Sequence, residues 1–559
     1  MNILGIANDE TASACVVRHG KLMAAASEER FTRVKMDNAW PQHSIDYCLK
    51  ASGLEMADID LIAYGWSAGF NAEKHLLPYF DRIVAEAGSQ QELDIFRERI
   101  SSEIERDAPK REEFQRFIKT NNFEGKVVSI DHHEAHAYSA YCFSPFDEAL
   151  VITCDGRGDF TSLTVSVIDR DSMRMLYRAP SIDSLGFFYG RITKLLGFTP
   201  HRHEGKITGL AAHGDPGKLL GLMRKMIEVK DGKLVAHLGP YFKPFYSNFS
   251  DELLQVVSNN SKEDVAAAAQ LHLEQCISAL VNFYVQKTSL RHVCLAGGVF
   301  ANVRVNQCVM EAPGVENIFV QPHMGDGGLC LGAAAGYLHQ IGQPKVDWDN
   351  MYLGPAYSQE EIESALSSES RIAYEYSDNI AAEAADAISG NEVVGFFQGR
   401  MEFGPRALCN RSIIYHCKDP HVNDWLNKRM ARTEFMPFAP VVTAEMAGRC
   451  FVGYRDDHIA SKFMTVTYKC TDFMKQMGPA AVHIDGTARP QVVASKDNPL
   501  MHALLKRYFE MTGEPALINT SFNRHEEPIV AGPADAIDAL CTGMIDVLVI
   551  GNYVARLKK

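Results

Sequence analysis

The chain has 559 residues, with 56 Lys plus Arg against 70 Asp plus Glu and a formal net charge of −14 at pH 7. That length exceeds what one hydrophobic core supports and predicts two or three domains, with 46% hydrophobic residues to fill them. The acidic balance argues against nucleic acid or an anionic membrane as a partner, while leaving room for local basic sites that take small anions.

The opening residues MNILGIAND carry no basic leader followed by a cleavable apolar segment, and no uncharged apolar run approaches the roughly 18 residues that span a bilayer. A soluble, cytoplasmic protein is the expectation. Thirteen cysteines without CxxC pairs in so long a chain fit reduced thiols and not a disulfide framework.

From the N-terminus, residues 3–29 read as an apolar strand, an acid-bearing turn, a second strand, a charged hairpin and a third strand. Residues 149–179 read the same way, as a weak internal repeat. A two-lobed nucleotide-binding fold would show such a duplication, and so would two unrelated meanders. Between them lies DHHEAHAYSAYC (131–142), which follows the strand KVVSI and, read as a helix, sets His132 and His136 one turn apart on one face. The strand ALVITC then ends on Asp155, and Asp326 stands in the Gly-rich turn of QPHMGDGGLCLGAA. Two imidazoles with one or two carboxylates suit a divalent iron, manganese or zinc ion. The order HExxH is absent, because after His133-Glu134 the next histidine is His136. A polar helix with solvated histidines is the alternative.

DGRGD (155–159) offers backbone N–H groups, Gly156 among them, to a phosphate or metal, or else forms a tight hairpin. HEGKITGLAAHGDP (203–216) sets Lys206 and His213 beside glycines, as a ligand site or an ordinary helix start. HVCLAGGVFANVRVNQ runs strand, Gly297-Gly298, helix, an arrangement that makes room for a phosphate at a helix N-terminus.

The polar stretch QPKVDWD (343–349) marks a boundary, giving domains 1–345 and 346–559. Beyond it, helices at 358–367, 377–389, 498–511 and 533–543 alternate with the short strands EVVGFF, ALINTSF and VLVIGNYVARL, predicting a second α/β unit. QGRMEFGPRALCNRSI (398–413) carries Arg400, Arg406 and Arg411 around Gly404-Pro405, suited to bidentate phosphate recognition, and INTSFN (518–523) ends a strand in short neutral donors. Solvated arginines are the alternative, disfavoured by the apolar neighbours Phe403, Leu408 and Phe522.

Taken together, ASEERFTRVK, HHEAHAYSAYCFSPFDEAL, DGRGD, SLGFFYGRITKLLGF, EGKITGLAAHGDP, LAGGVFANVRVNQ, GDGG, YLGP, GRMEFGPRAL, NRSI, MPFAPVV and NTSFN resemble, in order and nearly end to end, the NodU/CmcH/TobZ-type O-carbamoyltransferases. The resemblance implies an α/β chain with an N-terminal duplicated actin-like ATPase (ASKHA, Kae1-like) domain and a C-terminal YrdC-like α/β domain. It implies that carbamoyl phosphate and ATP with Mg²⁺ form carbamoyl adenylate in the C-terminal domain. The N-terminal domain would then pass the carbamoyl group to a hydroxyl of a small molecule such as an antibiotic, another natural product or a sugar.

By the same resemblance His132, His136, Asp155 and Asp326 match the metal ligands, usually around Fe(II). Lys35, Gly156, Lys206, Gly297, Gly298 and Asn302 match positions near the nucleotide, and Arg406, Arg411, Ser521 and Asn523 match the pocket for carbamoyl phosphate and adenylate. His132, His136, Asp155, Glu10 and Arg406 are the expected catalytic set, with Glu10, Asp9 or a metal-held water taking the acceptor's proton. The chain departs from the family at Glu10-Thr11, which replace a His-Asp pair, at Cys409, where Gly is common, at Met430 and Met436, in a stretch that is often more basic, and at Glu526, inside an HGEP-like turn. The Asp9-Glu10-Thr11 run is shared with Kae1 proteins, so a tRNA threonylcarbamoyl transferase-like enzyme is a rival, as is an actin-like-fold kinase. A homodimer is the default assembly.

Overall fold

A computed structural model describes residues 1–67, 72–86, 89–432 and 436–558 of a mixed α/β chain with several sheets. The chain divides into two compact units, residues 1–24 with 38–348 and residues 25–37 with 349–559. Among the described residues no helix is long and apolar enough to cross a membrane, and the thirteen cysteines are free thiols, most of them buried.

One five-stranded sheet is built from β1 (Asn2–Ala7), β2 (Ser13–Arg18), β3 (Lys21–Ser27), β4 (Leu61–Tyr64) and β5 (Lys126–Ser129), in the order β3-β2-β1-β4-β5. A second contains β6 (Ala149–Gly158), β7 (Thr161–Ile168) and β8 (Met173–Pro180). After a separate hairpin of β9 (Ile227–Lys230) and β10 (Lys233–Ala236), it is completed by β11 (His292–Ala296) and β12 (Asn317–Val320), in the order β12-β11-β6-β7-β8. In both sheets a long apolar strand, β1 or β6, runs antiparallel to its successor and parallel to a later strand. Ile3, Leu4 and Ile6 in one, and Leu150, Val151 and Ile152 in the other, are fully buried, as strands covered on both faces require.

Beside these sheets the helix His132–Tyr141 packs against the helix Leu329–Gln340. A Cβ at Gly332 would stand 1.8 Å from the Ala135 carbonyl oxygen, so only glycine lets the two backbones approach this closely. Two longer helices, Gln90–Thr120 and Lys262–Thr288, have no counterpart in the sequence reading. The first opens on a Ser89–Glu92 capping box and buries Arg99, Glu103 and Asp107.

In the second unit, β13 (Ile372–Tyr376), β14 (Val394–Phe397), β15 (Arg411–His416), β16 (Ala439–Thr443), β19 (Gln491–Val493), β20 (Ala516–Ser521), β21 (Val547–Ile550) and β22 (Tyr553–Leu557) form one sheet. Their order is β13-β22-β21-β14-β15-β20-β16-β19, with a small pair β17 (Tyr468–Lys469) and β18 (Thr487–Ala488) beside it. The helices Gln359–Ser367, Ile380–Ser389, Pro499–Thr512 and Pro533–Cys541 fall where the periodicity predicts them. VLVIGNYVARL is not one strand. Gly551 at φ 52 turns the chain, and β21 and β22 pair antiparallel across it.

Candidate functional site

His132 and His136 are fully buried near the N-terminal end of their helix, and this end is heavily tied down. Asp131 caps it, accepting the N–H groups of His133 (3.0 Å) and Glu134 (3.2 Å). Arg178 (2.9 Å) and His75 (3.1 Å) grip the other oxygen of the same carboxylate. Asp159 accepts the His132 N–H at 2.8 Å, and the edge of Trp66 meets the His132 ring at 4.4 Å. His133 points elsewhere, to Thr153 and the Thr161 carbonyl, and is structural.

DGRGD contains both features weighed from sequence. Asp159 and Phe160, each at positive φ, make the tight turn, while the register of β6 on β7 shifts between Cys154 and Gly158. That bulge re-aims Asp155 at the histidines. His136 Nε2 lies 3.2 Å from Asp155 Oδ2 and 3.5 Å from Asp326 Oδ1, and His132 Nε2 lies 3.7 and 3.8 Å from the same two atoms. One atom from each of the four residues falls within 4.8 Å of all the others.

The electrostatics of this cluster call for a cation. Both ring nitrogens of each histidine and Asp155 Oδ2 are buried without a hydrogen bond of proper geometry. Burial raises Asp155, but His132 and His136 more than offset this and hold it well below the usual carboxylate range. Burial lowers His136, yet Asp155 and Asp326 raise it to about 9. Without a metal, a proton kept on His136 offsets one of the two carboxylate charges. A divalent ion would satisfy the same donors, so the residues fit one.

The turn after β1 forms a rim of the site. Asn8 accepts from Tyr64 (2.5 Å) and donates to Glu113 (3.3 Å), Asp9 pairs with Lys110, and Glu10 Oε2 meets His201 Nδ1 at 2.8 Å. Lys110 lies over the Trp66 ring at 4.8 Å and is lowered to about 7 by burial and by Arg157.

The expected nucleotide residues are placed in various ways. Gly297, at φ 104, brings its backbone against β6, where a Cβ would stand 2.2 Å from the Cys154 carbonyl oxygen. A Cβ at Gly298 would lie 3.1 Å from Asp155 Oδ1. Asn302 caps its helix and donates to Gln270 (2.8 Å) and Thr208 (3.2 Å). Gly156 donates its N–H to the Asp155 carboxylate at 2.7 Å, and Lys206 is buried in the helix Glu204–Ala211. Lys35 lies in the second unit, 3.9 Å from Glu29, where burial lowers its pKa.

In the second unit Glu402 organises the arginine loop by accepting the N–H groups of Leu408 (2.7 Å), Asn410 (2.7 Å) and Arg411 (3.1 Å). Arg411 is fully buried, stacks 3.6 Å over Phe397 and donates to the carbonyls of Gln398, Asn410, Pro355 and Gly399, so it acts as a strut beneath the loop. Arg406 is half-buried on the loop above it. Ser521 and Asn523 are gathered by Arg432, which donates to Thr520 Oγ1 (2.8 Å), Ser521 Oγ (2.9 Å) and Asn523 Oδ1 (2.7 Å). Sequence reasoning did not name Arg432 or His201. The one signal for Arg432 was its place in a short basic run, Lys428-Arg429 to Arg432.

Comparison with known proteins matches residues 2–335 to the family model described as carbamoyltransferase N-terminus and residues 385–557 to that described as carbamoyltransferase C-terminus. The chain is 32% identical to nodulation protein NolNO of Sinorhizobium fredii, over 97% of this chain and 78% of that one. It is 30% identical to protein MJ1051 of Methanocaldococcus jannaschii over 99% of both chains. It is 34% identical to nodulation protein NolO of Bradyrhizobium diazoefficiens over 76% of this chain and 79% of the relative.

Proposed function

The chain belongs to the carbamoyltransferase family, and on that premise we propose that it is an ATP-dependent O-carbamoyltransferase acting on a hydroxyl of a small molecule. The observation that carries the reading is the buried His132-His136-Asp155-Asp326 cluster, which fits a divalent cation and lies within the N-terminal family match. A duplicated actin-like lobe pair is supported by the two sheets that share one pattern of antiparallel and parallel neighbours.

In this reading water cleaves carbamoyl phosphate to carbamate and inorganic phosphate, a carbamate oxygen attacks the α-phosphate of Mg²⁺-bound ATP, pyrophosphate leaves, and carbamoyl adenylate forms. The mixed anhydride is a better carbamoyl donor than carbamoyl phosphate. Arg406 and the Arg432-Ser521-Asn523 group supply positive charge and hydrogen-bond donors for the phosphoryl oxygens. In the first unit His132, His136, Asp155 and Asp326 would hold Fe(II) or another divalent ion, whose chemistry is Lewis-acid polarisation. The residues Asp131, Asp159 and Trp66 keep the two imidazoles in place.

The test is product analysis of the full chain with ATP, Mg²⁺, Fe²⁺ and carbamoyl phosphate. Pyrophosphate release that depends on carbamoyl phosphate is expected, followed by AMP when a hydroxyl acceptor is present. Formation of ADP, or pyrophosphate release indifferent to carbamoyl phosphate, would overturn the reading.

A further inference from the structure

Carbamoyl transfer to a hydroxyl needs a group that takes the hydroxyl proton, and the four-residue cluster provides none, because its imidazoles face its carboxylates. Outside the cluster, Glu10 and His201 form a pair at 2.8 Å, each about a third exposed (34% and 36%), so a small molecule can reach both. Glu10 is set by its turn, whose preceding residues are tied to Tyr64, Glu113 and Lys110. His201 is set just as firmly. Its own N–H donates to Glu204 Oε1 at 2.7 Å, and its ring stands edge-on to Tyr246 at 4.9 Å.

Tyr246 connects the pair to the cluster. A Cβ at Gly156 would lie 3.2 Å from its hydroxyl, so the ring lies beside the residue that follows Asp155. His201 also adopts φ 68, in the left-handed region.

We propose that His201 is the general base of the transfer step and Glu10 its positioning partner, an assignment that rests on the O-carbamoyltransferase reading. Glu10 accepts the Nδ1–H, which leaves the lone pair on Nε2 for the acceptor. As the acceptor oxygen forms its bond to the carbamoyl carbon, its O–H bond breaks and the proton passes to Nε2. The bond from that carbon to the AMP phosphate oxygen breaks in the same sequence, and AMP leaves with the electron pair. Glu10 stabilises the imidazolium as it forms, the role a carboxylate plays in a Ser-His-Asp triad. In effect, the fold brings His201 from the loop before the helix Glu204–Ala211 to the turn that carries Glu10.

The sign of the pH dependence follows from the neighbours. Burial lowers His201, but Glu10, with Glu204 and Asp155 beyond it, raises it above 6.5. A base works when deprotonated, so transfer falls as pH drops through a value above 6.5. Removing the Glu10 charge moves that limb to lower pH.

The experiment uses the full chain with ATP, Mg²⁺, Fe²⁺ and carbamoyl phosphate, with glycerol as the hydroxyl probe. Pyrophosphate reports adenylate formation, and AMP reports transfer to glycerol or to water. In a single turnover, His201→Gln is expected to keep the burst of pyrophosphate within about twofold, with the adenylate held on the enzyme, while AMP release falls about 10²- to 10⁴-fold, the range of a lost general base. Glu10→Gln is expected to shift the acid limb of AMP release downward and to lower its plateau. Proton NMR of the His201 ring reads the same pKa without turnover, above 6.5 in the wild type and lower in Glu10→Gln. AMP release by His201→Gln at the wild-type rate, or an acid limb and ring pKa unmoved by Glu10→Gln, would overturn the assignment. A wild type without carbamoyl-phosphate-dependent pyrophosphate release would overturn the functional reading and this assignment with it.

Discussion

Individual residues show how departures from a family pattern are accommodated. Cys409 and Glu526 both take positive φ, 81 and 61, the region that glycine adopts most readily. At Cys409 the buried thiol donates to Gln491 Oε1 at 3.1 Å, a contact glycine would forfeit. Glu526 is partly exposed, with its carboxylate 3.5 Å from His525 Nε2. Glu526→Gly is therefore expected to stabilise the fold by up to about 1 kcal/mol. Relief of the left-handed strain, about 1–2 kcal/mol, is partly offset by the greater freedom of glycine in the unfolded chain. Urea unfolding of the two proteins checks this, and a lower midpoint for Glu526→Gly would contradict it. The four metal candidates were legible at this scale because their residue types are unusual in such spacing. His201 was not, since a lone histidine after a proline looks like loop filler until the fold sets it against Glu10.

At the scale of elements, the site depends on one helix contact. Gly332 lets the helix that follows Asp326 touch the helix that carries His132 and His136, and a methyl group there would meet the Ala135 carbonyl. Gly332→Ala is expected to force these helices apart, lowering stability by about 1–3 kcal/mol, as overpacking does, and weakening iron binding. Thermal unfolding and metal analysis of the purified variant test this, and wild-type iron content together with an unchanged Tm would count against it. Elements with strong local signals were readable in advance, among them the four helices of the second unit and the histidine helix with its Asp131 cap. The boundary between β21 and β22 was not, because an apolar run broken only by Gly551-Asn552 reads equally as one strand or two. The helix Gln90–Thr120 escaped as well, since its many charges weaken the periodic apolar signal and its buried Arg99, Glu103 and Asp107 look like surface residues in sequence.

At the scale of the whole molecule, the two units carry separable chemistry in the reading proposed. Arg432→Ala is expected to cut carbamoyl-phosphate-dependent pyrophosphate release tenfold or more while iron content stays at the wild-type level. It removes the guanidinium that gathers Thr520, Ser521 and Asn523 and touches nothing at the cluster. His136→Ala is expected to lose iron and AMP release while keeping most of the single-turnover burst of pyrophosphate. Equal loss of the pyrophosphate burst and of AMP release in folded His136→Ala, or loss of iron from folded Arg432→Ala, would refute this division.

The sequence by itself determined the family, the mixed α/β class and the identity of the metal candidates. These depend on residue types, local periodicity and the order of motifs, all of which exist before the chain folds. Only the tertiary structure decided which side chains meet. It brought Asp155 and Asp326 to within 4 Å of histidines that precede them by as many as 194 positions in one case and 19 in another. It turned Arg411 into a strut, carried residues 25–37 to the second unit, and paired Glu10 with His201. Such pairings arise from sheet order and helix packing, and no local pattern in the chain encodes them.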